Sequence, residues 1–215
     1  MTSVANSDGG TPVLTIHRSA DQIGGNCIEI ACAGHRILLD AGNPLDAPDG
    51  RTVNLVPQTL DTTRPVDGII VSHPHQDHYG LLRQLPKDWP VWCGASTEDL
   101  MRLTLSLRGD SLHQPCSHYR SCVPFVIGPF TIKPILTDHS AFDAHTLLIE
   151  VTGKRILYTG DFRRSGRKAG LVDRMIQLPP RDVDVLLLEG TTLDRAESFP
   201  TEDDLEKRCC TTGAW

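Results

Sequence analysis

The sequence predicts an α+β fold in which a mixed β-sheet is layered with helices. The chain has 215 residues, 39% of them apolar, which is enough for one domain with a core. Short apolar runs bounded by turn residues recur along it. Helical patterns fall among these runs without the strict alternation of a doubly wound parallel sheet, so a mixed sheet is favoured.

Seven short apolar runs are predicted to be strands, since their length and bounding turn residues suit strands better than helices. The runs are Cys27–Ala31, Arg36–Leu39, Gly68–Val71, Phe130–Leu136, Thr146–Val151, Arg155–Tyr158 and Val183–Leu188. Thr152, Gly153 and Lys154 have the spacing of a tight hairpin between two of these runs. This part of the sheet is therefore predicted to be antiparallel.

Helices are predicted where capping residues precede apolar residues. Ser96 with Asp99 resembles a capping box before the apolar stretch at 100–107, and Thr201 with Asp204 resembles a second helix start. Two further helices are predicted, one around Leu81, Leu82 and Leu85 and one over Leu171–Leu178. The aromatic residues Trp89, Trp92, Phe125, Phe130 and Phe142 are predicted to pack inside the fold rather than to form a platform for nucleobases.

Composition narrows the functional classes. The formal charge of −6 argues against a surface that binds nucleic acid everywhere, although bound divalent ions would reverse the sign locally and keep a phosphodiester substrate possible. No run approaches the roughly 20 apolar residues of a membrane span, and the start of the chain lacks a signal-peptide pattern, so a cytoplasmic protein is expected. Seven cysteines without a C-x-x-C pair suit reduced thiols.

Three imidazoles and one carboxylate lie within six residues, as His73, His75, Asp77 and His78. Zinc and similar ions bind imidazole nitrogen and carboxylate oxygen at about 2.0–2.2 Å. His73 and His75 occupy alternate positions of an extended loop and are predicted to share one ion. Asp77 and His78 point in other directions and could hold a second ion, as two-metal hydrolases require.

The pattern H-x-H-x-D-H after a buried strand resembles the signature of the metallo-β-lactamase superfamily, and the resemblance covers roughly residues 16–206. It implies the αββα fold of that superfamily, a four-layered mixed β-sandwich flanked by helices. It also implies two divalent ions, Zn²⁺ or alternatively Mn²⁺, and hydrolysis by a metal-bound hydroxide. Coordination lowers the pKa of water from about 16 to about 7, so no serine or cysteine nucleophile is required.

The resemblance assigns roles to further residues. Asp40, in Leu-Leu-Asp-Ala-Gly, would support the metal loop by hydrogen bonding. His139 would be the third imidazole on the first ion, and Asp161 would bridge both ions. Gly160 would let the backbone bend close to the site. Asp77 would also orient the attacking water.

The stretches Gly160–Arg163 and Leu188–Thr192 resemble the β-CASP branch, the RNA-processing nucleases that include ribonuclease J. In that branch Glu189 matches the first acidic motif and joins Asp40 and Asp77 as a candidate catalytic residue. Four cations follow the T-G-D segment and are predicted to contact substrate phosphates. They are Arg163, Arg164, Arg167 and Lys168.

The same resemblance sets the expected domain organisation. Residues 1–10 are predicted to be a disordered leader, residues 11–190 the N-terminal part of the metallo-β-lactamase domain, and residues 191–215 the stub of a cap domain with an atypical tail. The branch inserts its cap at this point and then returns to complete the fold and the second metal site. The C-terminal part is therefore expected to be incomplete, with a weakened second site.

The favoured function is a metal-dependent hydrolase of phosphodiesters, most notably RNA. One alternative is a hydrolase of the same fold that acts on a thioester, lactone or β-lactam, which the acidic charge would suit. Another is a catalytically inactive metal-binding fragment, in keeping with an incomplete fold. Metal content and turnover measured on RNA, a simple phosphodiester and a thioester separate the three.

Overall fold

Two β-sheets form the centre of the protein. The computed structural model describes residues 10–47, 53–192 and 200–212. The predicted leader, apart from residue 10, lies outside the described residues, as do residues 193–199 and 213–215 of the predicted stub. In the remaining residues the element order interleaves strands and helices, and the α+β prediction is confirmed.

The first sheet has six strands in chain order. They are β1 (Val13–Arg18), β2 (Cys27–Cys32), β3 (His35–Ala41), β4 (Gly68–Ile70), β5 (Val91–Cys93) and β6 (Cys116–His118). β1, β2 and β3 pair antiparallel, whereas β3, β4, β5 and β6 pair parallel. The sheet is therefore mixed, and its parallel half brings the ends of β3, β4 and β5 to one edge.

The second sheet has five strands, in the order β11-β10-β9-β8-β7. They are β7 (Phe125–Ile127), β8 (Phe130–Leu136), β9 (His145–Val151), β10 (Lys154–Tyr158) and β11 (Val185–Leu187). The predicted hairpin joins β9 to β10 antiparallel. Thr152 and Gly153 both have positive φ, +46° and +75°, as a two-residue type I′ turn requires.

Alternation along β3 divides the core into two clusters. Ile37 and Leu39 pack with residues of the second sheet such as Phe130 and Ile149, so this cluster lies between the sheets. Leu38 points the other way and packs with Met101 and Leu105 of a helix. The first sheet is thus covered on both faces, which explains why β3 reads as a continuous apolar run.

Four α-helices accompany the sheets in the described part of the chain: α1 (Gln76–Tyr79), α2 (Ala95–Leu107), α3 (Ala169–Gln177) and α4 (Glu202–Thr212). The predicted capping box of α2 is wrong. Ser96 lies inside the helix, Gly94 stands at the cap position, and the carboxylate of Asp143 accepts a hydrogen bond from the Thr97 amide at 3.2 Å. The α4 box is correct: Thr201 Oγ1 accepts from the Asp204 amide at 3.1 Å while the Asp204 carboxylate accepts from the Thr201 amide at 3.2 Å.

Some expectations differ from the structure. The strands β1, β5, β6 and β7 were not predicted, since three of them have only three residues and exist through pairing with a neighbour. The packing prediction holds for Trp89 and Phe130, whereas Phe142 is 73% exposed. Trp92 and Phe125 are half-buried and stack with ring centroids 4.8 Å apart. None of the helices among the described residues is both long and apolar enough to span a membrane.

Candidate metal centre

Four histidines converge at the edge where β4 ends. The loop after β4 carries His73 and His75, and the loop after β8 carries His139. His75 Nδ1 lies 3.1 Å from His73 Nε2 and 3.1 Å from His139 Nε2. The nitrogens of these three residues all lie within 4.8 Å of one another. The structure therefore brings together the three imidazoles predicted for one ion.

A second group adjoins the first and shares His73 with it. Ligand atoms of His73, His78 and Asp161 also lie within 4.8 Å of one another. His78 Nε2 is 3.3 Å from Asp161 Oδ1 and 3.6 Å from Asp77 Oδ2. Asp77 was predicted to hold the second ion; it lies beside the second group but is not one of its three members. The other five histidines belong to neither group.

The protonation preferences of these side chains fit a metal centre. Burial and the neighbouring imidazoles lower the pKa of His73 well below its ordinary value, and burial lowers the pKa of His139 to about 4. These imidazoles are therefore neutral at pH 7, with nitrogens directed at one another instead of at carboxylates. Neutral imidazoles that converge in this way are the ligand form that zinc-type ions bind.

His78 gives a complementary indication. Its buried Nε2 makes no hydrogen bond among the described residues. Burial by itself would lower the pKa of His78, but the carboxylates of Asp40 and Asp161 outweigh it and raise the pKa to about 10. Burial would also raise the pKa of Asp161, yet His78 lowers it. The surroundings of His78 therefore favour a positive charge between the carboxylates of Asp40 and Asp161, and a divalent cation bound to the second group would supply one.

Asp40 supports the second ligand group through hydrogen bonds to residues around His78. It is fully buried at the end of β3 and has a positive φ of +58°. Its carboxylate accepts hydrogen bonds from the Ser72 amide at 2.7 Å, the Ser72 hydroxyl at 2.8 Å and the Tyr158 hydroxyl at 2.5 Å. It also pairs with His78 Nδ1 at 2.7 Å. Asp40 is thus placed to orient His78, so that Nε2 faces Asp161.

Gly160 bends the backbone just before Asp161, as predicted. Its φ is +56°, and a Cβ at this position would lie 3.2 Å from both the His145 carbonyl and the Ser72 side chain. Glu189 contacts the backbone that follows this bend. Its carboxylate accepts from the Phe162 amide at 3.4 Å and from the Thr191 amide at 3.2 Å. Glu189 therefore contacts the segment that follows Asp161.

A cavity of about 530 Å³ opens beside the second group. The loop after β1, the carboxylates of Asp77, Asp161 and Glu189, and the end of β11 line it. A space of this size beside converging ligands can admit a small substrate or part of a larger one.

The four cations predicted to contact substrate are engaged elsewhere in the structure. Arg163 pairs with Glu202 of α4 and lies 3.7 Å from Asp138. Arg164 pairs with Asp173 at 2.5 Å, Arg167 pairs with Glu206 at 2.8 Å, and Lys168 donates to the carbonyls of Ala141 and Phe142 at 3.0 and 2.8 Å. A substrate phosphate would have to compete with these partners.

Residues that sequence reasoning did not assign to the site also support it. Tyr158 and Ser72 both contact Asp40, and Asn26 donates to the Tyr158 hydroxyl at 2.9 Å. Asp138 is fully buried and accepts from the Gly166 amide at 2.8 Å, which ties the loop of His139 to the loop after Asp161. The position of Asp138 beside a predicted ligand was the one available signal in the sequence.

Two facing mixed sheets with His and Asp groups at one edge define a hydrolase fold built around divalent metal ions. Residues 35–205 match the family described as Beta-lactamase superfamily domain, and the chain belongs to this superfamily. The resemblance stated from the motifs is thereby confirmed.

Individual relatives agree with this assignment. An RNase J-like protein of Methanocaldococcus jannaschii is 28% identical over 210 residues, which cover 91% of this chain and 46% of the relative. The chain thus spans less than half the length of that relative. A structure of a protein of unknown function from Enterococcus faecalis V583 has a TM-score of 0.77 at 23% identity, covering 93% of this chain and 56% of that one. The short form of human tRNase Z has a TM-score of 0.55 at 16% identity, covering 93% and 88%.

Proposed function

We propose that this chain provides the metal centre of a phosphodiesterase that acts on RNA, within the β-CASP branch. The observation that carries the proposal is the pair of adjoining ligand groups that share His73 beside a cavity. A two-metal hydrolase needs two neighbouring ligand groups, because its two ions stabilise the attacking and the leaving oxygen of the phosphodiester. The names of the RNase J-like relative and of tRNase Z support RNA as the substrate.

In this proposal His73, His75 and His139 hold one ion, and His78 and Asp77 hold the second. Asp161, a member of the second group whose carboxylate lies 3.3 Å from His78 Nε2, would be the ligand shared by both ions. Zinc suits this set of nitrogen and oxygen ligands, with manganese as the alternative. Two bound divalent ions would supply Lewis acidity and a nucleophile derived from water at neutral pH.

The chain's own residues then position the reacting groups. Asp77 presents a carboxylate to the cavity and can accept a hydrogen bond that orients water. Asp40 fixes the orientation of His78, and Glu189 holds the segment after Asp161 through the Phe162 amide. Asp40 and Glu189 are thus positioning residues, whereas Asp77 would contact the reacting water.

A second candidate function is hydrolysis of a small thioester, lactone or β-lactam. It is favoured by the pairing of Arg163, Arg164 and Arg167 with carboxylates, because a polyanion would have to compete with those carboxylates for the three cations. The cavity is also lined by acidic side chains, among them Asp21 and Glu189. Such a surface would suit a neutral substrate better than RNA.

The test combines metal content with turnover. The purified chain is loaded with zinc or manganese, ions are counted by mass spectrometry, and hydrolysis of single-stranded RNA, a simple phosphodiester and a thioester is measured. His75→Ala removes the nitrogen that contacts both His73 and His139. His113→Ala is the matched control, since His113 is exposed and outside both groups.

About two ions per chain, with RNA cleavage that His75→Ala abolishes and His113→Ala keeps, is the expected result. Turnover of the thioester but not of either phosphodiester would replace the proposal with the second candidate. Stoichiometric metal without any turnover would identify a metal-binding chain that is inactive by itself.

A further inference from the structure

Phe142 is an exposed aromatic ring on a loop that is otherwise well anchored. The side chain is 73% exposed, whereas its neighbours Ala141 and Ala144 are buried. The fold places two small residues inside and directs the large apolar one toward solvent.

Two contacts fix the backbone on either side of the ring. Lys168 donates hydrogen bonds from Nζ to the carbonyl oxygens of Ala141 and Phe142. Asp143 accepts from the Thr97 amide and packs against Gly94, where a Cβ would lie 1.9 Å from its Oδ2. The loop is therefore held between α2 and the segment before α3, and hydrogen bonds on both sides fix the backbone that carries the ring.

Phe142 also lies on the loop between β8 and β9 that carries His139 of the candidate metal centre. Phe142 follows His139 by three residues, so their α-carbons are separated by no more than about 11 Å. The ammonium of Lys168 lies 6.0 Å from the ring centroid. A flat apolar face with a cation beside it is thus found on the same loop as a candidate metal ligand.

We infer that Phe142 is a stacking platform for a nucleobase of single-stranded RNA, next to the phosphodiester held at the metal centre. The inference rests on the proposed function and adds a recognition site to it. An aromatic face stacks on any base, so the platform would bind single strands without selecting a sequence. Lys168, which has three N–H donors and spends two on the carbonyls, would contribute positive charge beside the strand.

The experiment measures binding of metal-loaded protein to an RNA oligonucleotide and to an abasic strand of equal length. Phe142→Leu keeps an apolar side chain but removes the flat ring, and Phe142→Trp keeps and enlarges it. Leu107→Ala is the matched control, because Leu107 is 80% exposed at the end of α2. Circular dichroism of each variant confirms that it is folded.

Phe142→Leu is expected to weaken RNA binding about tenfold and to leave abasic binding unchanged, since only the base stacks. Phe142→Trp should bind RNA at least as tightly as the parent. RNA should quench the fluorescence that this variant shows in excess of the parent with its three tryptophans, and the abasic strand should not. Leu107→Ala should behave like the parent.

Equal effects of Phe142→Leu on both strands, or no effect on either, would overturn the platform while RNA cleavage by the parent chain preserved the proposed function. An unquenched indole in Phe142→Trp at saturating RNA would also overturn it. A parent chain that neither binds nor cleaves RNA would remove both proposals together.

Discussion

Gly42 lies directly against the carbonyl oxygen of Asp77. A Cβ at Gly42 would fall 1.6 Å from that oxygen and 2.8 Å from the His78 amide nitrogen. The same Asp77 oxygen accepts a hydrogen bond from the Asn26 amide at 2.9 Å, and Gly42 donates to the Asn26 carbonyl at 2.8 Å. The ends of β2 and β3 are thereby joined to the loop that carries the metal ligands.

This contact predicts that Gly42→Ala displaces the metal loop. Overpacking at backbone atoms that cannot rotate away should lower the free energy of unfolding by about 1–3 kcal/mol or more. Metal content per chain should fall as well. Chemical denaturation and metal analysis of the purified variant measure the two effects.

Gly170→Ala is the control for that substitution. Gly170 lies in the first turn of α3 and has open space around its Cβ position. Alanine there should leave metal content unchanged and stabilise the chain by up to about 1 kcal/mol. Equal behaviour of Gly42→Ala and Gly170→Ala would show that the close approach at Gly42 is unimportant.

Asp40→Asn should weaken metal binding without removing any ligand. The carboxylate accepts from four donor atoms of Ser72, His78 and Tyr158, and an amide must turn its NH₂ group toward at least one of them. Loss of such an orienting partner typically costs 10–100-fold in metal affinity, and about that loss is expected here. Competition with a chromogenic chelator gives the affinity.

Asp184→Asn, at an exposed carboxylate that pairs with Lys154, should have no effect on metal affinity. If Asp40→Asn also kept the parent affinity, the position of His78 would have to be maintained by other contacts.

Glu202→Gln should strengthen RNA binding if RNA is the substrate. The substitution removes one of the two carboxylates beside Arg163, the other being that of Asp138 at 3.7 Å, and it weakens the contact with the Arg167 amide. Release of Arg163 from Glu202 should steepen the dependence of log K on log salt by up to about one unit. Titrations of RNA at several salt concentrations measure this slope.

Asp203→Asn makes the same change in charge one residue along α4. Asp203 is exposed, and within the described part of the chain no ion pair joins it to the basic segment 163–168. Its slope should match the parent. Matching slopes for Glu202→Gln and Asp203→Asn would argue that α4 does not mask the basic segment.

Cysteine reactivity should follow burial. Cys122, Cys209 and Cys210 are exposed, whereas Cys27 is fully buried and burial raises its pKa to about 12. Brief alkylation of native protein at pH 8, read by peptide mass spectrometry, should label the three exposed thiols first because the thiolate is the reactive form. In guanidinium all seven should react; rapid native labelling of Cys27 would contradict the packing of β2.

Much of the fold is predictable from local pattern. The strands Cys27–Cys32, Phe130–Leu136 and Lys154–Tyr158 lie within one residue of the predicted runs, because apolar runs between turn residues specify them locally. The strands β5, β6 and β7 each have three residues and are stabilised by pairing with a neighbour. Their own sequences carry too little signal.

The helix cap of α2 illustrates the same limit. Ser96 and Asp99 have the spacing of a capping box, but the Asp143 carboxylate, from the loop before β9, satisfies the Thr97 amide instead. A contact across 46 residues of sequence leaves no local pattern. The basic segment is a comparable case, since two of its four cations, Arg163 and Arg167, are paired with Glu202 and Glu206 of α4, each 39 residues further along the chain.

The sequence by itself determined the mixed α+β fold and the identity of the metal-binding candidates, because strand alternation and the spacing of His73, His75, Asp77 and His78 are local properties. Only the tertiary structure decided how those candidates divide into two groups around His73, and that Asp40 orients His78. It also decided that Phe142 is exposed. Each of these features depends on residues that sheet packing brings together from separate parts of the chain. No local stretch of sequence specifies such contacts.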